Sequence, residues 1–452
     1  MLVPKISVVL SDGCAIASSL ANRLTTMGSS CQLRSTRALG SWETLSNVCR
    51  GADVVFLLST LDLESSVSPS ELQEFKSDVG RVLECCQECG VGGLVFTSSS
   101  CVVTGDSGLD LNENQPYVSA HEDPRAHAIA MAEVEVLKAS GTQSLAGSSC
   151  LYTCALRPST IYGPGEDRSL KRALSWVGYG LNHVALGPES TKRDLLYTDN
   201  LVEAQLLAGA NLISGRSGAG QVDWGRRGPA CSGQAYFVTD GQPCNPQSFF
   251  DDVMYGLADF PTSKLVRLPT AVARVAAWLA EAAYKGRLSK RPFLSRAEVR
   301  LLTESCTYDI GRTIKDLGYE PRVSADEALR KTVESLRHDG WRRHTVLVPT
   351  LGYWIANPTG VYLATLAAFG GPCPAVLKPL AVTMQTVGLV LFRKVAVVQA
   401  ICWAAYLVHL LEGVYAFRLA QQAGHRDTAP LWFLQTLLLG FPSTILIRQL
   451  LL

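Results

Sequence analysis

The chain lacks an excess of charge of either sign. Its 41 Lys and Arg stand against 40 Asp and Glu, a formal charge of +1 over 452 residues. Such a balance gives no field to concentrate polyanions, and no nucleic-acid partner is expected. It also lacks a disulfide or metal framework. The 14 cysteines are scattered, and several, such as Cys150, Cys154 and Cys402, lie in apolar runs where a cysteine acts as a small hydrophobe. The group Cys85-Cys86-x-x-Cys89 has no matching Cys/His pair downstream, so packing is expected there and no metal. The start, Met1-Leu-Val-Pro-Lys-Ile-Ser-Val-Val-Leu, lacks a signal peptide's long apolar core and small-residue cleavage site. The first domain is therefore expected on the cytosolic side.

What the chain has is a recurring pattern of short apolar runs separated by helical stretches. Runs at Ile6–Leu10, 53–58, Gly93–Thr97 and 154–157, with a return near 235–239, read as strands buried on both faces. The fold class expected is α/β: a doubly wound, Rossmann-type parallel sheet, ligand at the carboxyl ends of its strands, a smaller substrate domain, then an α-helical transmembrane region. The expected domains are 1–160 for the nucleotide-binding part, 161–340 for substrate-domain elements with some returns to the sheet, and 341–452 for the membrane.

Residues 269–287 form an Ala/Val/Leu/Trp-rich helix on which Arg274, Glu281 and Lys285 share one face. The opposite face either lies on a membrane or packs on the sheet. After Arg342-Arg343-His344 the composition changes. Residues 345–377 carry no charge, and further apolar runs cover 395–411 and 431–447. About 17 to 25 apolar residues span a bilayer, so three spans are expected, with 379–392 a fourth or an interfacial segment. The basic group before the first span places the preceding domain in the cytosol. His409 and Glu412, one turn apart, read as an intramembrane polar site or as a helix-end or interhelical hydrogen bond.

The motifs Phe96-Thr97-Ser98-Ser99-Ser100, Cys154-Ala-Leu-Arg157-Pro158-Ser-Thr-Ile-Tyr162-Gly163-Pro164-Gly165 and Tyr197-Thr198-Asp199-Asn200 resemble extended short-chain dehydrogenase/reductases. Together with Gly233-Gln-Ala-Tyr-Phe-Val-Thr-Asp-Gly and Leu317-Gly-Tyr-Glu-Pro, they are similar to the 3β-hydroxysteroid dehydrogenase branch, in particular its family 42E subgroup. The stretches His409-Leu-Leu-Glu412-Gly-Val-Tyr415 and Leu431-Trp-Phe-Leu-Gln435-Thr resemble a small multi-span membrane family. The resemblance implies NAD or NADP as cofactor, a steroid or sterol-like substrate, and residence in the endoplasmic reticulum membrane.

The resemblance also locates what is missing. Such enzymes have three glycines between the first strand and first helix, so that pyrophosphate meets bare backbone. Here those positions hold Ser11, Cys14 and Ala17, with Gly13 the one glycine before Gly28 and Asp12 adding negative charge. Where an acidic residue would hold ribose stands Arg34, either a partner for a 2′-phosphate or a solvated surface arginine. Ser100 matches the serine that bonds the substrate oxygen. The catalytic tyrosine and lysine, counted back from Ala130-Met131-Ala132-Glu133, become Arg125 and Ile129, and no Tyr-x-x-x-Lys occurs in the chain. Arginine stays protonated and cannot accept the proton; isoleucine cannot hold a ribose. Substitute bases to weigh are Tyr117 with His121, and His127. Pro158, Tyr162 and Gly163 fall where the resemblance places cofactor (Pro158) and substrate (Tyr162, Gly163), or simply shape a strand exit. Asn200 is expected to tie loops together.

Two functions follow. One is a membrane-anchored pseudoenzyme that keeps the fold and binds a sterol-like lipid or a protein partner. The other is an active NAD(P)-dependent oxidoreductase acting on a steroid 3β-hydroxyl.

Overall fold

The computed structural model describes residues 2–11, 14–35, 41–58, 68–103, 108–143, 150–166, 168–177, 184–214, 229–258, 266–285, 294–339, 351–375, 377–422, 426, 428–440 and 443. The chain forms two compact units. One comprises Met1–Leu170, Ala185–Pro261 and Val266–Asp339; the other comprises Lys171–Val184, Thr262–Leu265 and Gly340–Leu452.

The chain opens with β1 (Ile6–Leu10), α1 (Ala15–Thr26), β2 (Ser30–Arg34), α2 (Trp42–Cys49), β3 (Val54–Leu58), α3 (Pro69–Glu88) and β4 (Gly93–Thr97). A 3-10 turn (Ser100–Val102) and β5 (Gly108–Leu111) precede α4 (Pro124–Lys138), β6 (Thr142–Gln143), β7 (Cys150–Pro158) and β8 (Thr160–Tyr162). Then come α5 (Arg168–Val177), β9 (Val184–Leu186), β10 (Leu195–Tyr197), α6 (Thr198–Ile213), β11 (Gln234–Val238), α7 (Pro246–Ala258) and β12 (Val266–Leu268). The first unit closes with α8 (Thr270–Lys285), α9 (Arg296–Thr303), β13 (Cys306–Tyr308), α10 (Gly311–Leu317) and α11 (Ala325–His338).

Six strands run parallel in the order β11-β7-β4-β3-β1-β2, and β6 adds an antiparallel edge to β7. Every residue of β3 and β4 is buried, as expected for strands covered on both faces. Alternation divides the core in two. Val8, Leu10, Val55 and Leu57 point to the side packed with residues of α3 and α4, whereas Val9, Val54, Phe56 and Leu58 point to that of α1 and α6; successive side chains of a strand face opposite ways. Cys85 and Cys86 are fully buried in the first of these layers. Helix starts are written into the sequence: Ser68 and Glu71 form a capping box around Pro69 of α3, and Ser295 with Glu298 does the same for α9. Because β1 lies between β2 and β3, chain crossovers diverge at its carboxyl end, where such sheets open a crevice.

Helix α8 buries small residues and exposes large ones. Ala273 and Ala277 pack against Val299 of α9, and Arg274 and Glu281 pair with Glu304 and Arg296. Val272, Val275, Trp278 and Leu279 are 50–59% exposed.

The second unit holds α12 (Leu351–Phe369), α13 (Lys378–Phe392), α14 (Val395–Gln422) and α15 (Ala429–Leu439). Among the described residues, α14 is the one helix long and apolar enough to cross a membrane, with 28 residues and a mean hydropathy of 1.7 in its most apolar window. Helices α13 and α15 are apolar but 15 and 11 residues long. Trp432 of α15 is fully buried against Leu419 and Ala420 of α14, and Gly413 lets the Phe433 ring approach the α14 backbone. The basic group 342–344 and most of the stretch after Leu439 lie outside the described residues.

Candidate functional site

Three parallel strands end in serine at the crevice. Ser11 follows β1, Ser98 follows β4 and Ser159 follows β7, and their exposures are 3%, 4% and 5%. Each backbone N–H extends the ladder, donating to the carbonyls of Arg34, Leu156 and Val238 respectively. Among the described residues the hydroxyls of Ser98 and Ser159 have no partner, and that of Ser11 has only the Cys14 thiol beside it. A buried hydroxyl without a partner costs about 1–3 kcal/mol, so three at one sheet end mark a place shaped for something other than packing.

At the phosphate end of that crevice the start of α1 meets a neighbouring loop. Cys14 caps α1 in an extended conformation without a side-chain cap bond, and Ala17 behind it is buried. Against this helix start lies the loop that follows β8. Gly165 sits at φ +78°, so close that a Cβ there would stand 2.3 Å from Cβ of Ala15. Burial pushes the Cys14 thiol pKa up, hydrogen bonding to the Ala17 backbone lowers it in part, and the charge of Glu166, the next residue of that loop, raises it again. A dinucleotide pyrophosphate needs bare backbone and unopposed N–H groups at a helix N-terminus. Ser11, Cys14 and Glu166 offer instead two side chains and a like charge, and do not fit that group. Arg34, expected near ribose, donates to the carbonyl of neighbouring Leu33 at 2.9 Å. Gly13 and Asp12 lie outside the described residues.

On the chemical side, Ser100 sits in the 3-10 turn, 8% exposed. Helix α4 packs on that turn and carries the two replaced positions. Asp123 caps α4 by accepting from the backbone N–H groups of Arg125 and Ala126, and the Arg125 Nε lies 3.5 Å from the same carboxylate. Ile129 is 1% exposed and belongs to the core layer that includes Val102 and Val103. Ile129, where the resemblance places the lysine, thus contributes hydrocarbon to the core.

Of the substitute bases weighed, Tyr117 and His127 are engaged elsewhere. Tyr117 donates to Oε1 of Glu133 at 2.8 Å and accepts from Nη2 of Arg157 at 3.1 Å. Arg157 and Glu133 form a bidentate pair, with Nη2 2.6 Å from Oε1 and Nε 3.0 Å from Oε1 and 3.2 Å from Oε2, at 2% and 0% exposure. The guanidinium lies between the rings of Tyr117 and Phe237, 5.3 and 5.5 Å from their centroids. Burial first, and then the Glu133 charge, push the Tyr117 phenol up to about 12, away from any role as proton acceptor near neutrality. Nδ1 of His127 faces the carbonyl of Val118 at 2.9 Å, and His121 is exposed.

Pro158 ends β7 beside Val238 of β11. Tyr162 is 4% exposed, lies edge-on to Phe249 and donates to Asp240 at 3.2 Å. A Cβ on Gly163 (φ +131°) would fall 2.5 Å from Thr198 Oγ1, so the glycine is demanded by packing on α6. Asn200 joins three segments. Its Nδ2 donates to Asp240 at 2.7 Å, and its Oδ1 accepts from the N–H groups of Arg322 and Val323 at 3.0 Å. Sequence reasoning missed Glu133–Arg157, Asp240 and Glu166. Of these, Arg157 and Glu133 carried a legible signal: two charged residues inside apolar runs, which burial obliges to pair.

Comparison with known proteins agrees with this arrangement of elements. Residues 30–270 match the model of the 3-beta hydroxysteroid dehydrogenase/isomerase family, and residues 352–449 match that of Transmembrane protein 254. The chain is 33% identical over 288 residues to short-chain dehydrogenase/reductase family 42E member 1 of Bos taurus, covering 61% of this chain and 70% of that one. It is 33% identical over 299 residues to the 3beta-hydroxysteroid-dehydrogenase/decarboxylase isoform 1 of Arabidopsis thaliana, covering 64% of this chain but only 63% of the plant protein. The structure of RMD from Pseudomonas aeruginosa complexed with NADPH shares the fold, with TM-score 0.50 and 15% identity over 74% of this chain and 99% of that one. The parallel sheet, its strand-end motifs and the family match over more than half of the sequence lead to one conclusion: the chain belongs to the 3-beta hydroxysteroid dehydrogenase/isomerase family and carries a Transmembrane protein 254-like helical region after it.

Proposed function

We propose that this is a membrane-anchored member of the family that binds a steroid or sterol-like lipid and performs no redox turnover. The observation that carries the reading is the pair of positions on α4. Ile129 is sealed into the core and Arg125 is held by its own helix cap. Neither can take a hydroxyl proton, and losing a positioned acid/base lowers rates by roughly 10²–10⁴. The phosphate end, with Glu166 beside Cys14, supports the same reading. Membrane residence is supported by α14 and by the exposed apolar stripe of α8, with three or four spans, the first unit cytosolic, and the endoplasmic reticulum as the membrane where sterols are met. The domain division proposed is 1–160, 161–340 and 341–452.

A second reading, an active NAD(P)-dependent 3β-hydroxysteroid oxidoreductase, is favoured by the three serine hydroxyls at the strand ends and by Ser100. The two are separated by incubating the full-length protein in lipid nanodiscs with 3β-hydroxysteroids and NAD+ or NADP+. Saturable steroid binding without reduced nicotinamide is the expected result. Formation of reduced nicotinamide and ketosteroid above the protein-free rate would overturn it.

A further inference from the structure

The second unit contains a cavity of about 440 Å³ bounded by α12, α13 and α14, within the range of a small-molecule site. Its width comes from small residues: Gly360 and Ala364 of α12, Gly388 of α13 and Ala405 of α14. It runs along α14 from Val398 to His409, roughly 16 Å at 1.5 Å per residue. The walls are apolar at the Val398 and Leu391 end, while Tyr406 and His409 stand at the other.

The hydrogen bonds of those two residues fix what they offer. Thr365 Oγ1 donates its single proton to the carbonyl of Val361 at 2.7 Å. Tyr406 also pairs with Thr365 Oγ1, so the proton in that bond comes from Tyr406, and the phenolic oxygen keeps its lone pairs. His409 Nδ1 faces the carbonyl of Leu437 at 3.2 Å. A carbonyl only accepts, so Nδ1 carries the hydrogen, and in the neutral ring Nε2 is left as an acceptor. Both polar groups at the cavity's end can therefore accept a hydrogen bond from a ligand. Hydrocarbon tails of lipids supply none, and a flexible chain also loses more freedom on entering than a rigid ring system does.

We propose that this cavity binds a rigid, sterol-sized apolar alcohol taken from the bilayer, its hydroxyl donating to Tyr406 Oη or His409 Nε2. The site lies wholly within the Transmembrane protein 254-like region and does not depend on the ligand proposed for the first unit. The site is open on one side, where Val387, Leu391 and Ile401 are 50, 66 and 45% exposed, so an apolar molecule could enter it from the bilayer.

The test uses the full chain in nanodiscs with a diazirine-bearing 3β-hydroxysterol, followed by peptide mapping. Label on peptides of α12–α14 is expected, displaced by the unlabelled sterol and about five- to tenfold less well by its 3-keto counterpart. Gly388→Trp, which fills the cavity, should remove that label. Tyr406→Phe combined with His409→Phe should retain label but erase the alcohol-over-ketone preference, which keeps the test decisive if the tryptophan variant misfolds. Label confined to residues 1–339 would overturn this site while leaving the proposed function standing. Equal displacement by the ketone would overturn the assigned chemistry, and equal displacement by a straight-chain alcohol would overturn the rigid occupant.

Discussion

Removing Arg157 alone should be among the most damaging single changes in the first unit. The pair it makes with Glu133 is fully buried, with contacts of 2.6 and 3.0 Å to one carboxylate oxygen. Arg157→Leu would leave that carboxylate in the core with Tyr117 as its one remaining donor. Breaking a buried pair from one side costs about 3–5 kcal/mol, whereas replacing all its members by apolar groups is often close to neutral. At roughly 2–4 °C per kcal/mol for a unit of this size, Arg157→Leu should lower the melting temperature by about 10 °C. The triple change Arg157→Leu, Glu133→Leu, Tyr117→Phe should recover most of that loss. Intrinsic-fluorescence melting of the full-length protein in detergent reads both. A single variant within about 1 kcal/mol of the native protein, or a triple variant no better than the single, would refute the argument from an uncompensated buried charge.

Three further expectations can be checked by similar means. Arg125→Tyr with Ile129→Lys should not create dehydrogenase activity and should lower the melting temperature, because the lysine would enter a core position 1% exposed; steroid turnover by that variant would contradict the reading of the phosphate end. Gly165→Ala should force the loop off α1, since its Cβ would meet Ala15 at 2.3 Å and its φ is +78°; melting measurements should show a loss, and an unchanged melting temperature would mean the loop does not rest there. Burial raises the Asp194 pKa to about 6. Its folded value thus exceeds its unfolded one, and the native state binds the extra proton. Stability from this group is present at low pH and falls, by roughly 3 kcal/mol in all, as pH rises from about 4 through 6. Asp194→Asn should flatten that segment of a denaturant-midpoint profile, and a slope that persists in the variant would assign it to another group.

The sheet was legible because its strands are continuous apolar runs. Val54–Leu58 and Gly93–Thr97 could be placed almost to the residue, since strands covered on both faces admit no polar alternation. The departure at the turn is a reading of the sequence alone: a glycine requirement is local, and Ser11 and Cys14 stand where the resemblance places glycines. The contact of Gly165 with Ala15 was not legible, because it joins residues 150 positions apart through loop geometry. Arg157 is legible as a charge inside an apolar run, but its partner, Glu133 across the α4–β7 interface, is not given by spacing. The donor bookkeeping around Tyr406 depends on Thr365, 41 residues away on another helix, and no spacing rule announces it. Helix α8 showed the limit of a two-face argument. Arg274 and Glu281 pair with Glu304 and Arg296, Ala273 and Ala277 are buried, and Val272, Val275, Trp278 and Leu279 are exposed, so three faces matter.

The central claim is tested most directly by titrating the full-length protein with NAD+, NADH, NADP+ and NADPH and recording binding heats alongside tryptophan fluorescence. The side chains at the helix start, the Glu166 charge and the hydrocarbon at Ile129 predict no saturable binding up to millimolar nucleotide by protein that melts cooperatively. Saturation at micromolar nucleotide by any of the four would contradict the account and return the chain to the working dehydrogenases of its family.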